Sequence, residues 1–279
     1  MQGRRVVVTG AASGIGEALA RQLAAQGAKL LLADVDVPRL QAVVQALRQA
    51  GAEVLEQATD VADPAAVQAL AQRAQAEWGG ADVLINNAGV ALVAPVQSLA
   101  LADAQWLMGI NFWGVVHGCQ AFLPQLRAQP AATIVNVSSV FAMVSMPTQS
   151  IYNASKAAVR AFSDALREEL RGSSVRVLCV HPGGIRTRIA EQARLGDISL
   201  AADSPEALRR QFERSARTSA DEAAAAILQA VATGQTRLRI GLDARLGDWM
   251  FRLAPGRASA WFGGLVRWAR ARQIGRAHV

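Results

Sequence analysis

The chain has 279 residues, 52% hydrophobic and 18% charged, with a mean hydropathy of +0.18. That balance excludes a disordered or collagen-like chain and supplies enough apolar side chain for one large core. The formal charge is +7, yet the whole excess lies after residue 236, where nine arginines face two aspartates; the preceding residues are balanced.

In chain order, short β-branched or Leu-rich runs predict strands at 4–10, 28–34, 52–57, 82–86, 132–138, 174–180 and 236–240. Helical periodicity falls between them, near 14–26, 36–50, 63–78, 99–128 (as two helices), 151–171 and 220–233. This alternation predicts an α/β chain with a three-layer Rossmann fold: a seven-stranded parallel sheet with helices on both faces. A single domain over 1–241 is expected. The remainder, 242–279, reads as a basic Trp/Arg-rich extension that packs on that domain, on a partner subunit or on a membrane surface. Only five residues precede the first apolar run, so no secretion signal is expected, and no apolar stretch approaches the roughly 20 residues of a spanning helix. Cys119 and Cys179 lie 60 positions apart, neither a disulfide framework nor a zinc spacing, which suits a reducing cytoplasm; no metal site is expected.

In open parallel sheets ligands bind beyond the carboxyl ends of the strands, and there the polar residues of this chain collect. After the first strand comes "TGAASGIG" (9–16), with Gly10, Gly14 and Gly16 permitting a tight turn and close approach of a pyrophosphate to the following helix N-terminus. Asp34 ends the second strand, 18 positions beyond Gly16, where a carboxylate accepts hydrogen bonds from ribose hydroxyls and repels the extra phosphate of NADP. NAD is therefore preferred over NADP, with Arg39 as the feature that argues the other way. Asp60 can accept from an adenine amino group, and Gly89, in "NNAG" (86–89), lets backbone pass close to the cofactor. The fifth strand delivers Ser138 and Ser139, and the sixth runs into "HPGGIRT" (181–187). "IYNASKAAV" (151–159) holds the only tyrosine, Tyr152, with one of only two lysines, Lys156, four positions later and so on the same helix face.

On these motifs, with Asn111, the chain resembles the short-chain dehydrogenase/reductase family, in the family's order and over about two thirds of its length. The resemblance implies that 1–241 is a Rossmann-type NAD(P)-binding catalytic domain, with Tyr152 as general acid/base and Ser139, favoured over Ser138 by its spacing to the tyrosine, as the group that holds the substrate oxygen. Lys156 activates the tyrosine and binds ribose, and Asn111 links a proton relay. It also implies cofactor contacts at Gly10, Ser13, Gly14, Ile15 and Gly16, at Asp34, Asp60 and Val61, and at Asn87, Ala88 and Gly89. Tyr152 and Lys156 join these, as do Pro182, Gly183 and Ile185, with Thr187 on the nicotinamide carboxamide. A phenol titrates near 10, and a nearby ammonium and the nicotinamide charge are both expected to favour phenolate. His117 and His181 read as packed or backbone-bonded. The block 111–118 resembles a family helix found at subunit interfaces, so a homodimer or homotetramer is expected.

The stretches "VALVAP" and "VFAMVSMP", with Ile185 and Ile189, read as an apolar pocket, so the expected activity is NAD(H)-dependent interconversion of a secondary alcohol and a ketone on a hydrophobic or alicyclic frame. One alternative is an NADP(H)-dependent reductase of CoA- or carrier-linked 3-oxoacyl groups, for which Arg186, Arg188 and Arg194 are candidate docking charges. Another is a non-catalytic, cofactor-sensing regulatory module. In the tail, Trp261, Leu265 and Trp268 fall at helical spacing with Arg267 and Arg270 off that line. Packing on a subunit or over the substrate is the first reading and peripheral membrane contact the second; no nucleic-acid motif accompanies the charge.

Overall fold

The computed structural model describes residues 1–264 apart from 200 and 203. Seven strands, β1 (Arg5–Thr9), β2 (Lys29–Asp34), β3 (Val54–Ala58), β4 (Val83–Asn86), β5 (Ala132–Val137), β6 (Val175–Pro182) and β7 (Arg237–Ile240), form one parallel sheet ordered β7-β6-β5-β4-β1-β2-β3. Strand order reverses between β1 and β4, and the crevice at such a switch point is where this class of sheet binds ligands. The helices are α1 (Gly14–Ala25), α2 (Val37–Gln49), α3 (Pro64–Trp78), α4 (Leu101–Met108), α5 (Gly114–Arg127), α6 (Ser150–Glu169), α7 (Pro205–Ser215), α8 (Ala220–Ala232) and α9 (Leu242–Leu253).

Because side chains alternate along a strand, each central strand feeds two cores. Val6, Val8, Leu30 and Leu32 point to one side, against Leu19 and Leu23 of α1, Leu40 and Val44 of α2 and Ile227 of α8. Val7, Leu31 and Leu84 point to the other, against Leu70 of α3, Phe122 and Leu126 of α5 and Val159 of α6. Asp36 and Asp63 start α2 and α3 by accepting from the Arg39 and Ala65 amides, each with proline in the first turn. At the amino edge of the sheet, Asp82 accepts three bonds from Arg5, from its amide at 2.8 Å and its guanidinium at 2.9 and 2.7 Å, which ties β1 to the start of β4.

The predicted pair of helices within 99–128 is α4 and α5, but no loop parts them. Gly109–Trp113 is a π-helical turn that carries the chain from one into the other. Two helices were not anticipated. α7 has no fully buried residue; its apolar side is only the half-buried Ala207, Leu208 and Phe212, too short a stripe to stand out, although Ser204 and Pro205 mark its start. α9 turns the expected extension back onto the domain: Ala244, with Ala258 and Phe262 further on, packs against Val140, Met143 and Val144 in a third apolar cluster. Of the expected tail pattern, Leu265, Arg267, Trp268 and Arg270 lie outside the described residues. Among those described, no helix is long and apolar enough to cross a membrane.

Candidate active site

The first strand end is a cradle that a side chain would fill. A Cβ on Gly10 would lie 2.7 Å from Ala88 Cα, and one on Gly16 only 2.0 Å from the Gly10 carbonyl oxygen, so both positions require glycine. The hydroxyl of Thr9 accepts from the Asn87 and Ala88 amides at 3.1 and 3.2 Å, while Asn87 Nδ2 donates to the Thr9 and Gly10 carbonyls at 3.0 Å. The ends of β1 and β4 are thus stitched into one floor. Ser13 sits at the N-cap of α1 without a side-chain capping bond, leaving the amides of the first turn, including those of Gly14, Ile15 and Gly16, available to an anion. Asp34 accepts from Ala12 N at 2.9 Å and Asp36 N at 3.0 Å, one bond per oxygen, so each oxygen keeps capacity for a ribose hydroxyl. Arg39 is held by Asp36 at 3.4 Å. Asp60 is exposed and braces its own turn through Ala62 N, and the carbonyl of buried Val61 accepts from His117 Nδ1 at 3.0 Å. These residues fit a dinucleotide.

Beyond β5 and along α6 the reactive groups converge. Lys156 is 3% exposed; its Nζ donates to the Val137 carbonyl at 3.1 Å and stands 5.8 Å from the Tyr152 ring centre. Burial lowers its pKa to about 8. The two candidate serines part company. Ser138 Oγ donates to the Lys156 carbonyl at 2.8 Å, anchoring β5 to α6. Ser139 Oγ accepts from Phe141 N at 3.2 Å and hydrogen-bonds the Tyr152 phenol, whose ring packs edge-on to Phe141. In the protein itself burial raises the Tyr152 pKa against the opposing Ser139 bond, while the Lys156 ammonium is directed at a backbone carbonyl. Asn111, fully buried in the π turn, clamps Val90, accepting from its amide at 2.8 Å and donating to its carbonyl at 3.0 Å. A Cβ on Gly89 would stand 3.3 Å from Lys156 Nζ and 3.4 Å from Asn111 Oδ1, so these three residues meet at one point.

The last strand end closes the site. Thr187 Cβ lies 3.2 Å from where a Cβ on Gly14 would stand, bringing the "HPGGIRT" loop across the glycine turn. Pro182 pairs with Ile240, and the Asp243 carboxylate sits against Gly183 while accepting from Gly184 N at 2.6 Å. Ile185 is buried in the first core cluster, so only its backbone remains for a ligand. His181 is fully buried, donates from Nδ1 to the Ser139 carbonyl at 3.2 Å, and leaves Nε2 unpartnered. Burial and Arg237 push its pKa down to about 4; the bond to Ser139 opposes them.

The apolar stretches divide differently from the expected pocket. Val140, Met143 and Val144 are packed beneath the C-terminal elements, and Leu92 and Val93 are buried where they pair with Arg194 and Leu195. Phe141, packed on Tyr152, and Ile189, in the turn after Thr187, are both partly exposed and remain as apolar surface. Sequence reasoning missed the roles of Thr9, Asp243 and Asp248. Asp248, 2% exposed, is clamped by Arg239 at 2.6 Å, Arg252 at 2.9 Å and Arg237 at 3.2 Å, fixing α9 to β7. The first of these had a signal, since it opens the glycine motif; the two aspartates sit in no motif.

The short chain dehydrogenase family model matches residues 4–197. A putative oxidoreductase SadH of Mycobacterium tuberculosis is 40% identical over 255 residues, 90% of this chain and 91% of that protein. The 1-deoxy-11-beta-hydroxypentalenate dehydrogenase of Streptomyces avermitilis is 36% identical over 89% of each. A solved short chain dehydrogenase/reductase from Burkholderia phymatum, in complex with NAD, superposes with a TM-score of 0.81 at 35% identity, covering 90% of this chain and 95% of that one. With the seven-stranded sheet, the glycine cradle and the Ser139, Tyr152 and Lys156 cluster, these likenesses agree on one assignment: the chain is an oxidoreductase of the short-chain dehydrogenase/reductase family.

Proposed function

We propose that this enzyme interconverts a secondary alcohol and a ketone on a hydrophobic or alicyclic frame, using NAD(H). The observation that carries the reading is the meeting of Ser139, Tyr152 and Lys156 in a buried corner beside Gly89 and Asn111. A bound nicotinamide supplies the hydride acceptor or donor. Tyr152 gives or takes the proton at the substrate oxygen, and Ser139 donates a hydrogen bond to that oxygen as charge develops on it. Lys156, an ammonium one helical turn away, favours the phenolate in the step where Tyr152 has lost its proton and holds ribose hydroxyls. Asn111 keeps the strand after "NNAG" in place through Val90, and burial excludes water from the proton transfer.

Asp34 supports NAD over NADP, as does the NAD in the related Burkholderia phymatum structure. The hydroxypentalenate dehydrogenase among the relatives supports an alcohol as substrate. The carrier-linked alternative loses ground because its candidate docking arginines are engaged. Arg194 pairs with Asp103 at 2.7 Å and stacks on Trp106, Arg188 pairs with Glu191 at 2.8 Å, and Arg186 donates to the Arg217 carbonyl at 3.0 Å. We place a subunit contact on the α4/α5 surface around Trp113, which is 51% exposed, and the working compartment in the cytoplasm.

The test is turnover with NAD(H) on a panel of alicyclic and aliphatic alcohols and ketones, with Tyr152→Phe as control. Loss of turnover by about a hundredfold or more with cofactor binding retained supports the mechanism. Unchanged turnover in the variant removes Tyr152 from its role. A panel result favouring small charged hydroxy acids removes the substrate class.

A further inference from the structure

We propose that the outer face of α9, together with Trp261, docks on an anionic lipid surface. Leu242, Trp249 and Leu253 are 80%, 60% and 62% exposed, and their spacing of seven and four puts them in one stripe along the helix. Trp261 adds a second exposed tryptophan at 45%. Four of the nine large apolar side chains exposed among the described residues therefore crowd into the last 23 of those residues. The opposite face of the helix is spoken for, since Ala244, Gly247 and Asp248 are buried against the domain. The stripe points outward because its reverse is packed.

Charge identifies the occupant. Arg245 and, just beyond the helix, Arg257 are exposed in the same segment, as is Arg252, whose Nε is held by Asp248. The two aspartates of this region do not face outward with them: Asp248 is buried in its arginine clamp, and Asp243 is turned onto the Gly183–Gly184 backbone. From Trp249 to the end of the sequence there are six arginines and no acidic residue. Leucine and tryptophan flanked by arginine match the layering of a bilayer surface, with apolar chains below and anionic headgroups above. A second copy of this chain would bring the same arginines against their own kind across a two-fold axis, which disfavours self-pairing. A nucleic acid would neutralise the charge and leave the leucines in water. The same helix covers Val140 and Val144, one and five residues from Ser139, so docking brings the catalytic loop to the lipid surface.

The experiment is co-sedimentation of the full chain with phosphatidylcholine vesicles, with and without phosphatidylglycerol, over a range of salt. Binding is expected only with phosphatidylglycerol, declining as salt rises. The double variant Trp249→Ser/Leu253→Ser is expected to lower partitioning at least about tenfold, because both side chains leave water on docking. Arg245→Glu/Arg257→Glu is expected to do the same through charge. All four side chains are exposed, and unchanged melting temperature and oligomeric state verify that each variant is folded as before. Absence of wild-type binding overturns the proposal, as does equal binding by the Trp249/Leu253 variant. A change of oligomeric state in that variant overturns it too, by assigning the face to a subunit contact. None of these readouts depends on turnover.

Discussion

Acid sensitivity is built into the strand end beside Ser139. His181 is fully buried with Nε2 unpartnered, and its pKa is about 4 against an ordinary 6.5. Burial is the main cause. Arg237 and Arg160 add to it, while the bond to Ser139 and the charge of Asp248 oppose it. The unfolded chain takes up this proton at higher pH than the folded one, so stability is intact above the unfolded value and is lost as pH falls through the interval toward the folded one. A difference of about 2.5 pH units at about 1.4 kcal/mol each amounts to about 3.5 kcal/mol, of which about 3 is lost by pH 4, a large part of the 5–15 kcal/mol of a typical domain. His181→Asn removes the titration and keeps an N–H donor toward the Ser139 carbonyl. Urea denaturation of both proteins between about pH 7 and pH 4 reads the effect: the stability difference should move by about 3 kcal/mol in favour of the variant. Parallel pH profiles would refute the reasoning, because the proton would then not distinguish the folded from the unfolded state at this site.

Three further outcomes follow from the same geometry. Asp248→Asn should lower stability at neutral pH by about 2–3 kcal/mol, less than for a fully buried pair because its arginine partners are partly exposed; denaturant midpoints measure it. Burial alone would raise the Asp248 pKa, but the Arg239 bond and the charges of Arg237 and Arg252 hold it below the ordinary carboxylate value. The wild-type advantage is therefore full above the unfolded value and shrinks as pH falls through the folded one. Gly16→Ala must push the new methyl away from the Gly10 carbonyl, so calorimetric titration should show nicotinamide cofactor affinity weakened at least about tenfold. Asp34→Ser removes the carboxylate that repels the NADP phosphate and should shift the NADP/NAD preference toward NADP by about tenfold in kcat/KM, with an unchanged ratio removing Asp34 from discrimination.

The sheet was readable because buried parallel strands are nearly continuous apolar runs. "VVV" and "LLL" are such runs, closed at their ends by Thr9 and Asp34. Helix starts were readable where Asp36 and Asp63 cap them. The candidate site residues drew notice because strand ends gather ligands and because the chain is poor in tyrosine and lysine, so Tyr152 and Lys156 stand out. Packing of the C-terminal extension on the domain was among the expected readings, but its partner was not readable: Val140 meets Ala244 and Phe262 across more than a hundred positions, and no local period records such a contact. The same gap misdirected the pocket. An apolar residue lining a cavity and one packed under a helix look alike in sequence, and Val140, Met143 and Val144 proved to be the second kind. The π turn at Asn111 was hidden because one extra residue per turn barely disturbs a helical pattern. The burial that raises the Tyr152 pKa was not readable either: spacing gives proximity to Lys156 but not the loss of water around the phenol.

The third apolar cluster shares no residue with the two that sandwich the sheet, and six buried side chains make up its core. A cluster that small and separate opens at a lower free energy than the sheet, as a sub-global unit. Amide exchange in 244–262 should therefore outpace that of β1 and β4 while the fold stays intact. Each opening uncovers the loop that begins at Val140, next to Ser139, and would widen the way in for bulky molecules. Substrate entry and product exit would then run on the timescale of the cap rather than of the proton transfer.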